Sequence, residues 1–353
     1  MLYAATVARK LVMLACRNRT GVSGDAMTGR WTRSILERGG WSRRKFLKMS
    51  GAVVVGAAGV AISGCGSVDP AAPSWAATEA AQVTARVTAV PTGKLVVCSN
   101  SDPAKAVDKA LDAHGGLSGI VKSGDRVYVK ANFSWAKPAG QGACNHPDVL
   151  VRIMQRCKDA GAARVIAIDN TIDNGQLCLD RSGIKAALDS AGFSAVVLGG
   201  EGSFEERKIK CGSLSSVMVT KVLRDADVFI SAPVVKSHGT TVMSAGLKNL
   251  MGIIYGRGEF HSPGPLDQCI VDLAGVMRPD LVIGDAYRVL KTGGPGGPGE
   301  VIHPNEVIVS DDPVAADTYA ATLLGLKPED VEHVRLAAAA GLGKADIAGM
   351  IRV

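Results

Sequence analysis

Residues 147–169 read PDVLVRIMQRCKDAGAARVIAID, and this stretch decides the fold. Pro147 to Ala160 is a helix with Asp148 in its first turn and Lys158 in its last, ended by Gly161. Arg164-Val165-Ile166-Ala167-Ile168 follows as a strand and runs straight into Asp169. The same alternation continues in both directions. Upstream, Lys94 to Cys98 is a short apolar run, Ala104 to Ala113 has helical spacing after Asp102-Pro103, and Arg126 to Lys130 is a strand. Downstream, Arg181 to Ser190 is helical, broken by Gly192, and Ala195 to Leu198 is the next strand. Val228 to Ile230 follows as a strand, then helices over Thr241 to Leu250 and Leu266 to Val276. Leu281 to Ile283 is a strand ending at Asp285, and Glu306 to Val309 another. Val314 to Leu324 and Glu329 to Ala339 complete the pattern as helices. Strands rich in β-branched residues, each followed by a helix, predict an α/β fold with a largely parallel sheet and helices on both faces, in one or two lobes.

In such sheets ligands bind beyond the carboxyl ends of the strands. Read there, the chain offers Asn132, then Asp169-Asn170, then Lys236-Ser237-His238-Gly239, then Asp285. Each taken singly is as well explained by capping a helix or turning the chain; the set points to a site. The richest segment is KSHGTTVMSAGLKN, residues 236–249. Gly239, Thr240 and Thr241 are expected to open a helix whose free N–H groups and positive dipole end face the cleft beside Lys236 and His238. A carboxylate or phosphate suits that arrangement. Lys248 shares a helical face with Thr241 and Ser244 in this reading, as a surface lysine or as a ligand-facing amine. His261 and His146, with His238, Asp169 and Asp285, could supply a nitrogen and oxygen set for a divalent metal, although no close His-x-x-x-His spacing supports it. The run TGGPGGPG, residues 292–299, carries Gly293 and Gly294 and lets a backbone wrap a ligand or simply make a long loop. No Gly-Lys-Ser/Thr follows, so it is not a Walker loop.

The formal charge of +7 raises the question of nucleic acid, and its distribution answers it. Residues 1–50 hold eleven Lys/Arg and two acids, so the remainder carries about −2. With 4% aromatic residues there are few stacking platforms. A nucleic-acid partner is not expected. The basic segment instead contains Trp41-Ser42-Arg43-Arg44-Lys45-Phe46-Leu47-Lys48, then an uncharged run from Met49 to Ser63 and Ile62-Ser63-Gly64-Cys65. Paired arginines before a Gly/Ala/Val-rich stretch look like a twin-arginine secretion signal, and the closing tetrapeptide fits a lipobox that leaves Cys65 lipidated. About fifteen uncharged residues fall short of the ~20 that span a bilayer. The expected organisation is a signal over 1–65, a flexible tether over 66–91 and an α/β domain over 92–353. The expected partners are the translocase, the membrane surface through Cys65 and a small anionic ligand. Localisation is expected in the cell envelope, at the outer face of the cytoplasmic membrane. Of the eight cysteines, Cys98, Cys144, Cys157, Cys178, Cys211 and Cys269 lie in the core, none in a Cys-x-x-Cys pair. A ferredoxin-type cluster is therefore not expected. Each reads as a small buried apolar residue, with disulfides open to any of them outside the cytoplasm.

These residues together resemble the prokaryotic family known as domain of unknown function 362. The family pattern reads here as Lys130-Ala131-Asn132, Asn145-His146-Pro147, Ala226-Asp227-Val228 on to Gly239, and Leu247-Lys248-Asn249 with Gly252. It continues through His261, Asp285, Gly293 to Pro298, and Asp312-Pro313-Val314-Ala315-Ala316-Asp317. The resemblance implies a fold and site positions, Asn249 among them, more than an activity. Some relatives carry a ferredoxin-like module, which this cysteine set does not repeat. A second likeness is to nickel-pincer lactate racemases, in which a His, a Lys ten residues on and a later His hold a nicotinate-derived cofactor; His238, Lys248 and His261 are similar in order.

Three functions remain open at this point. The first is an enzyme acting on a small anionic substrate, with His238 as proton carrier and Lys236 and Lys248 as cations. The second is a cofactor- or metal-carrying redox protein. The third is a ligand-binding lipoprotein without chemistry.

Overall fold

The computed structural model describes residues 93–211, 214–261 and 266–353. The twin-arginine segment, Cys65 and the tether lie outside the described residues. The chain forms β1 (Leu95–Ser99), α1 (Pro103–His114), β2 (Arg126–Lys130), α2 (Pro147–Asp159) and β3 (Arg164–Asp169). Then come α3 (Gly175–Arg181), α4 (Ile184–Ser190), β4 (Ser194–Val197), β5 (Phe204–Cys211), β6 (Leu214–Thr220) and β7 (Val228–Ser231). The second half holds β8 (Val234–His238), β9 (Val242–Ser244), α5 (Gly246–Asn249), β10 (Ile254–Tyr255), α6 (Arg257–Phe260), α7 (Leu266–Val276) and β11 (Leu281–Leu290). It closes with β12 (Val301–Ile302), β13 (Glu306–Ser310), α8 (Pro313–Leu323), α9 (Glu332–Ala339) and β14 (Ile351–Arg352).

The main sheet runs β14-β1-β13-β11-β7-β2-β3-β4, with β8 and β12 also pairing with β11. From β11 through β7, β2, β3 and β4 every neighbour is parallel, as the alternation predicts. β13 departs from it and lies antiparallel between β1 and β11. The sheet is apolar on both faces because it is covered on both. Val127, Val129, Val165 and Ala167 pack with α1 and α2 residues such as Leu111, Ile153 and Met154. Tyr128, Ile166 and Ile168 point the other way, into a core shared with α7, α8 and α9. Each large apolar side chain so buried contributes about 1.5–3 kcal/mol. Helix α2 begins as the sequence suggests, with His146 as its N-cap, Pro147 in its first turn and Asp148 near the positive dipole end.

A separate three-stranded antiparallel sheet, β10-β6-β5, stands outside the strand–helix alternation. Its strand β5 ends at Cys211, which forms a disulfide with Cys269 of α7 across 58 residues, with Cα atoms 4.9 Å apart. Cys98, Cys144, Cys157 and Cys178 are buried free thiols, as small apolar residues would be. Closing so long a loop restricts the unfolded chain. Replacing both cysteines by serine should therefore cost about 2–4 kcal/mol in urea unfolding. Equal midpoints for the variant and the parent would show that the bridge contributes nothing.

Candidate functional site

Strands β2 and β3 are adjacent and parallel, so their ends bring Lys130 and Asp169 together. Lys130 Nζ lies 2.9 Å from Asp169 Oδ1, with the two side chains 1% and 0% exposed. Lys130 Nζ also donates to Ala131 O at 2.5 Å and to Asn249 Oδ1 at 3.0 Å. Asp169 Oδ2 accepts from Phe133 N at 2.9 Å and Ser134 Oγ at 2.7 Å. Asn249 donates on to Lys130 O at 2.9 Å and Ser231 Oγ at 3.1 Å. Gly252 lies against the pair so closely that a Cβ there would collide with Lys130 Cε and Asp169 Oδ1. Burial lowers the Lys130 ammonium pKa, against the opposing pull of Asp169.

A second run of buried polar groups leads from this pair to Asp285. Asn132 Oδ1 accepts from Lys236 Nζ at 3.0 Å, and Ala143 O accepts from it at 2.6 Å. Asn132 N donates to Asn145 Oδ1 at 2.6 Å, while Asn145 Nδ2 and His146 N both donate to Asp285 Oδ2, at 3.3 and 2.6 Å. Asp285 thus fixes the entrance to α2. It does not end a strand as expected; β11 continues five residues beyond it, because β8 and β12 pair with its second half.

The segment 236–249 folds differently from the expectation. Residues 234–238 and 242–244 pair as a hairpin, with Lys236 opposite Ser244 and His238 opposite Val242. Gly239, Thr240 and Thr241 form its turn and do not open a helix; Val242 takes a φ of 63°, an uncommon conformation for a β-branched residue. The helix over Thr241 to Leu250 reduces to α5, four residues from Gly246 to Asn249. Strand pairing satisfies the backbone here before a helix can start. The turn's N–H groups face a side chain of the protein itself. Thr240 N and Thr241 N donate to His238 Nδ1 at 3.1 and 3.2 Å. With Nδ1 an acceptor, the imidazole proton sits on Nε2. Burial, then the positive field of Lys248, His261, Lys236 and His333, pushes the His238 pKa down to about 3. At neutral pH His238 is a fixed Nε2–H donor.

Lys236 and Lys248 have the opposite character. Burial brings the Lys236 pKa down to about 8 at 1% exposure. Burial also brings Lys248 down to about 8; Asp267 opposes the shift, and Lys236 and Arg257 add to it. Among the described residues the acceptor for Lys248 Nζ is the Met251 thioether, at 3.4 Å. A buried amine with so weak a partner is costly unless a ligand completes it.

His146 and His261 have different surroundings. His146 Nδ1 accepts from Asp148 N at 3.2 Å as the α2 cap, and its ring stands edge-on to Tyr287 at 4.9 Å. His261 lies just after α6, in the field of Lys248 and Arg257. Among the described residues no group of three or more His, Cys, Asp or Glu could hold a metal ion. Gly293 and Gly294 are accounted for by packing of the loop itself. A Cβ on Gly293 would strike Pro298 O and one on Gly294 would strike Ser237 O, and Gly294 N donates to Ser237 Oγ at 3.0 Å. An open depression of about 790 Å³, lined by Lys208, Ile209, Leu214, Val271 and Leu342, contains none of the strand-end residues.

Three residues around the site carry no motif by which the sequence alone would mark them: Arg257, Asp267 and His333. Asp317 stood in a motif, and an acid within the apolar helix PVAADTYAATL is the one signal that could have singled it out.

Comparison with known proteins gives matches of three kinds. A thylakoid-associated protein of Synechocystis sp. is 27% identical over 230 residues, covering 63% of this chain and 70% of the relative. Lactate racemase apoprotein from Thermoanaerobacterium thermosaccharolyticum aligns with a TM-score of 0.43 at 14% identity, over 66% of this chain. The chain spans 57% of that racemase's length. Residues 127–322, which include Lys130, Asp169, Lys236, His238, Lys248 and Asp317, match a family described as Domain of unknown function (DUF362). The chain belongs to that family.

Proposed function

We propose that this protein is an exported, membrane-tethered enzyme that binds a small anion at the strand ends, with Lys248 rather than His238 carrying the proton. One observation carries the reading: Lys236 and Lys248 are buried amines at about 8, and Lys248 meets only a thioether among the described residues. An anion supplies the missing counter-charge, and the His238 Nε2–H adds a neutral donor. An amine near 8 exchanges a proton close to neutral pH, whereas an imidazole near 3 does not. The substrate class is a small carboxylate or phosphate. Export through the twin-arginine route and anchoring at Cys65 rest on residues 41–65; the Cys211–Cys269 disulfide supports an oxidising compartment. Mass spectrometry of the native exported pool would show an acylated Cys65, and an unmodified cytoplasmic protein would end the tethering.

Titration calorimetry with small monocarboxylates and with inorganic phosphate tests the site. Lys248→Met should weaken binding by about tenfold or more, the scale of one charge-assisted contact. Binding should also fade as pH rises through about 8 and the two amines lose their protons. Equal affinities for Lys248→Met and the parent would sink this reading. Tight binding with no turnover of any bound anion would reduce the enzyme to a ligand-binding lipoprotein.

A second reading is favoured by one fact: among His238, Lys248 and His261, the residues similar to the nickel-pincer racemases, Lys248 acts on both imidazoles and His261 acts on His238. In that reading they surround an organic cofactor. Metal content and the visible absorption spectrum of the protein as isolated decide it; a colourless, metal-free, active protein rules it out.

A further inference from the structure

Three residues from three helices meet behind α5. His333 of α9 is wholly buried, and its Nδ1 lies 2.8 Å from Asp267 Oδ1 of α7. Burial raises the Asp267 pKa, but that bond and the field of His333 outweigh it and hold the pKa below the usual carboxylate range, so the carboxylate is ionised and Nδ1 is the donor. His333 Nε2 lies 4.0 Å from Asp317 Oδ2 of α8 and has no hydrogen-bond partner. Asp317, wholly buried as well, accepts from Gly246 N at 2.6 Å and Leu247 N at 3.0 Å. Those are the peptide groups immediately before Lys248. A Cβ on Gly246 would stand 2.7 Å from Asp317 Oδ1, so the close approach needs glycine there.

The charged groups acting on Lys248 are Asp267, Lys236 and Arg257, and Lys248 in turn acts on His238 and His261. Asp267 is the one acid in that set. One imidazole therefore stands between the acid that holds the two peptide groups before Lys248 and the acid whose field reaches its ammonium. We infer that Asp267 and His333 are positioning residues for Lys248: the hydrogen bond from His333 holds the Asp267 carboxylate where its field favours the Lys248 ammonium, which leaves the direct contact to the anion. A partly exposed carboxylate otherwise turns to solvent, where its field is screened. A bond to a buried ring keeps it in place, as orienting partners do for other functional groups. The inference deepens the reading in which Lys248 faces the anion and rests on it.

Pulse acetylation of the full chain with acetic anhydride, without added anion, reports the neutral fraction of Lys248 by peptide mass spectrometry as pH is varied. Asp267→Asn should move the labelling midpoint down by about one pH unit, the lower end of what a nearby opposite charge does. That equals roughly tenfold more labelling on the acid side of the midpoint. His333→Leu should do the same. His333→Asn, which keeps a donor near the Nδ1 position, should stay near the parent, and the Asp267→Asn/His333→Leu double change should move no further than Asp267→Asn alone. An unmoved midpoint in Asp267→Asn overturns the inference, as do equal shifts in His333→Leu and His333→Asn. Should His333→Leu not fold, Asp267→Asn decides alone, since its side chain is partly exposed. Loss of anion binding by the parent would end the anion reading; the labelling profile is read without anion and fails or holds separately.

Discussion

Asp169→Asn lowers the stability of the fold by about 3–5 kcal/mol, because it leaves the Lys130 ammonium buried without its counter-charge. The pair is 1% and 0% exposed, so water cannot take over the lost role. Asparagine keeps the acceptors for Phe133 N and Ser134 Oγ but turns an NH₂ toward another donor. Lys130→Met alone should cost a comparable amount, since it leaves Asp169 charged and buried. The double change Lys130→Met/Asp169→Asn should recover much of the loss, the behaviour expected when both members of a buried ion pair go together. Urea unfolding of the four proteins completes the cycle. Single-change losses under about 1 kcal/mol would mean the pair acts like a surface ion pair and that water reaches it.

The stability difference between the parent and Lys236→Met shifts by about 3 kcal/mol in the parent's favour as pH rises from about 8 to about 10.5. The sign follows from the lowered value. Below about 8 the amine is protonated in both folded and unfolded chains, and the folded chain bears the whole cost of burying it. Between about 8 and the ordinary 10.5 the unfolded chain keeps a proton the folded chain has lost, so stability rises with pH. Lys248 acts in the same direction. The buried thiols act in the other: Cys144 is raised to about 11, and Cys157 and Cys178 to about 12, so above about 9 they destabilise the fold. Both proteins carry those thiols; Cys157 and Cys178 cancel in the difference, and Cys144, whose thiolate the Lys236 charge favours, cancels in part. A difference that stays flat with pH would show that Lys236 titrates as an exposed lysine does.

The helix and strand of residues 147–169 were legible because one stretch of chain holds both cap residues and the apolar run. The same holds for α1, α7 and α8, whose ends lie within a residue of the reading. Residues 241–250 misled for a physical reason. Their helical spacing is real, but β8 offers Val242 to Ser244 a strand partner and Asp317 offers Gly246 and Leu247 an acceptor. Both partners come from outside the segment, and no local pattern announces them. The β5–β6 hairpin and its disulfide escaped for a similar cause, since cysteines 58 residues apart carry no pairing signal.

By itself the sequence determined the α/β class, the parallel half of the sheet, the family and the strand ends as the place where polar residues gather. These follow from short-range patterns of apolar and turn-forming residues, and from motifs read in a line. The expectation for residues 1–92 rests on the sequence as well. The tertiary structure decided the charge and surroundings of those polar groups. It made His238 a neutral donor, left Lys236 and Lys248 as buried amines near 8, and set Asp267, His333 and Asp317 behind Lys248. A side chain's charge depends on the water and charges around it, and those are supplied by strands and helices far away along the chain.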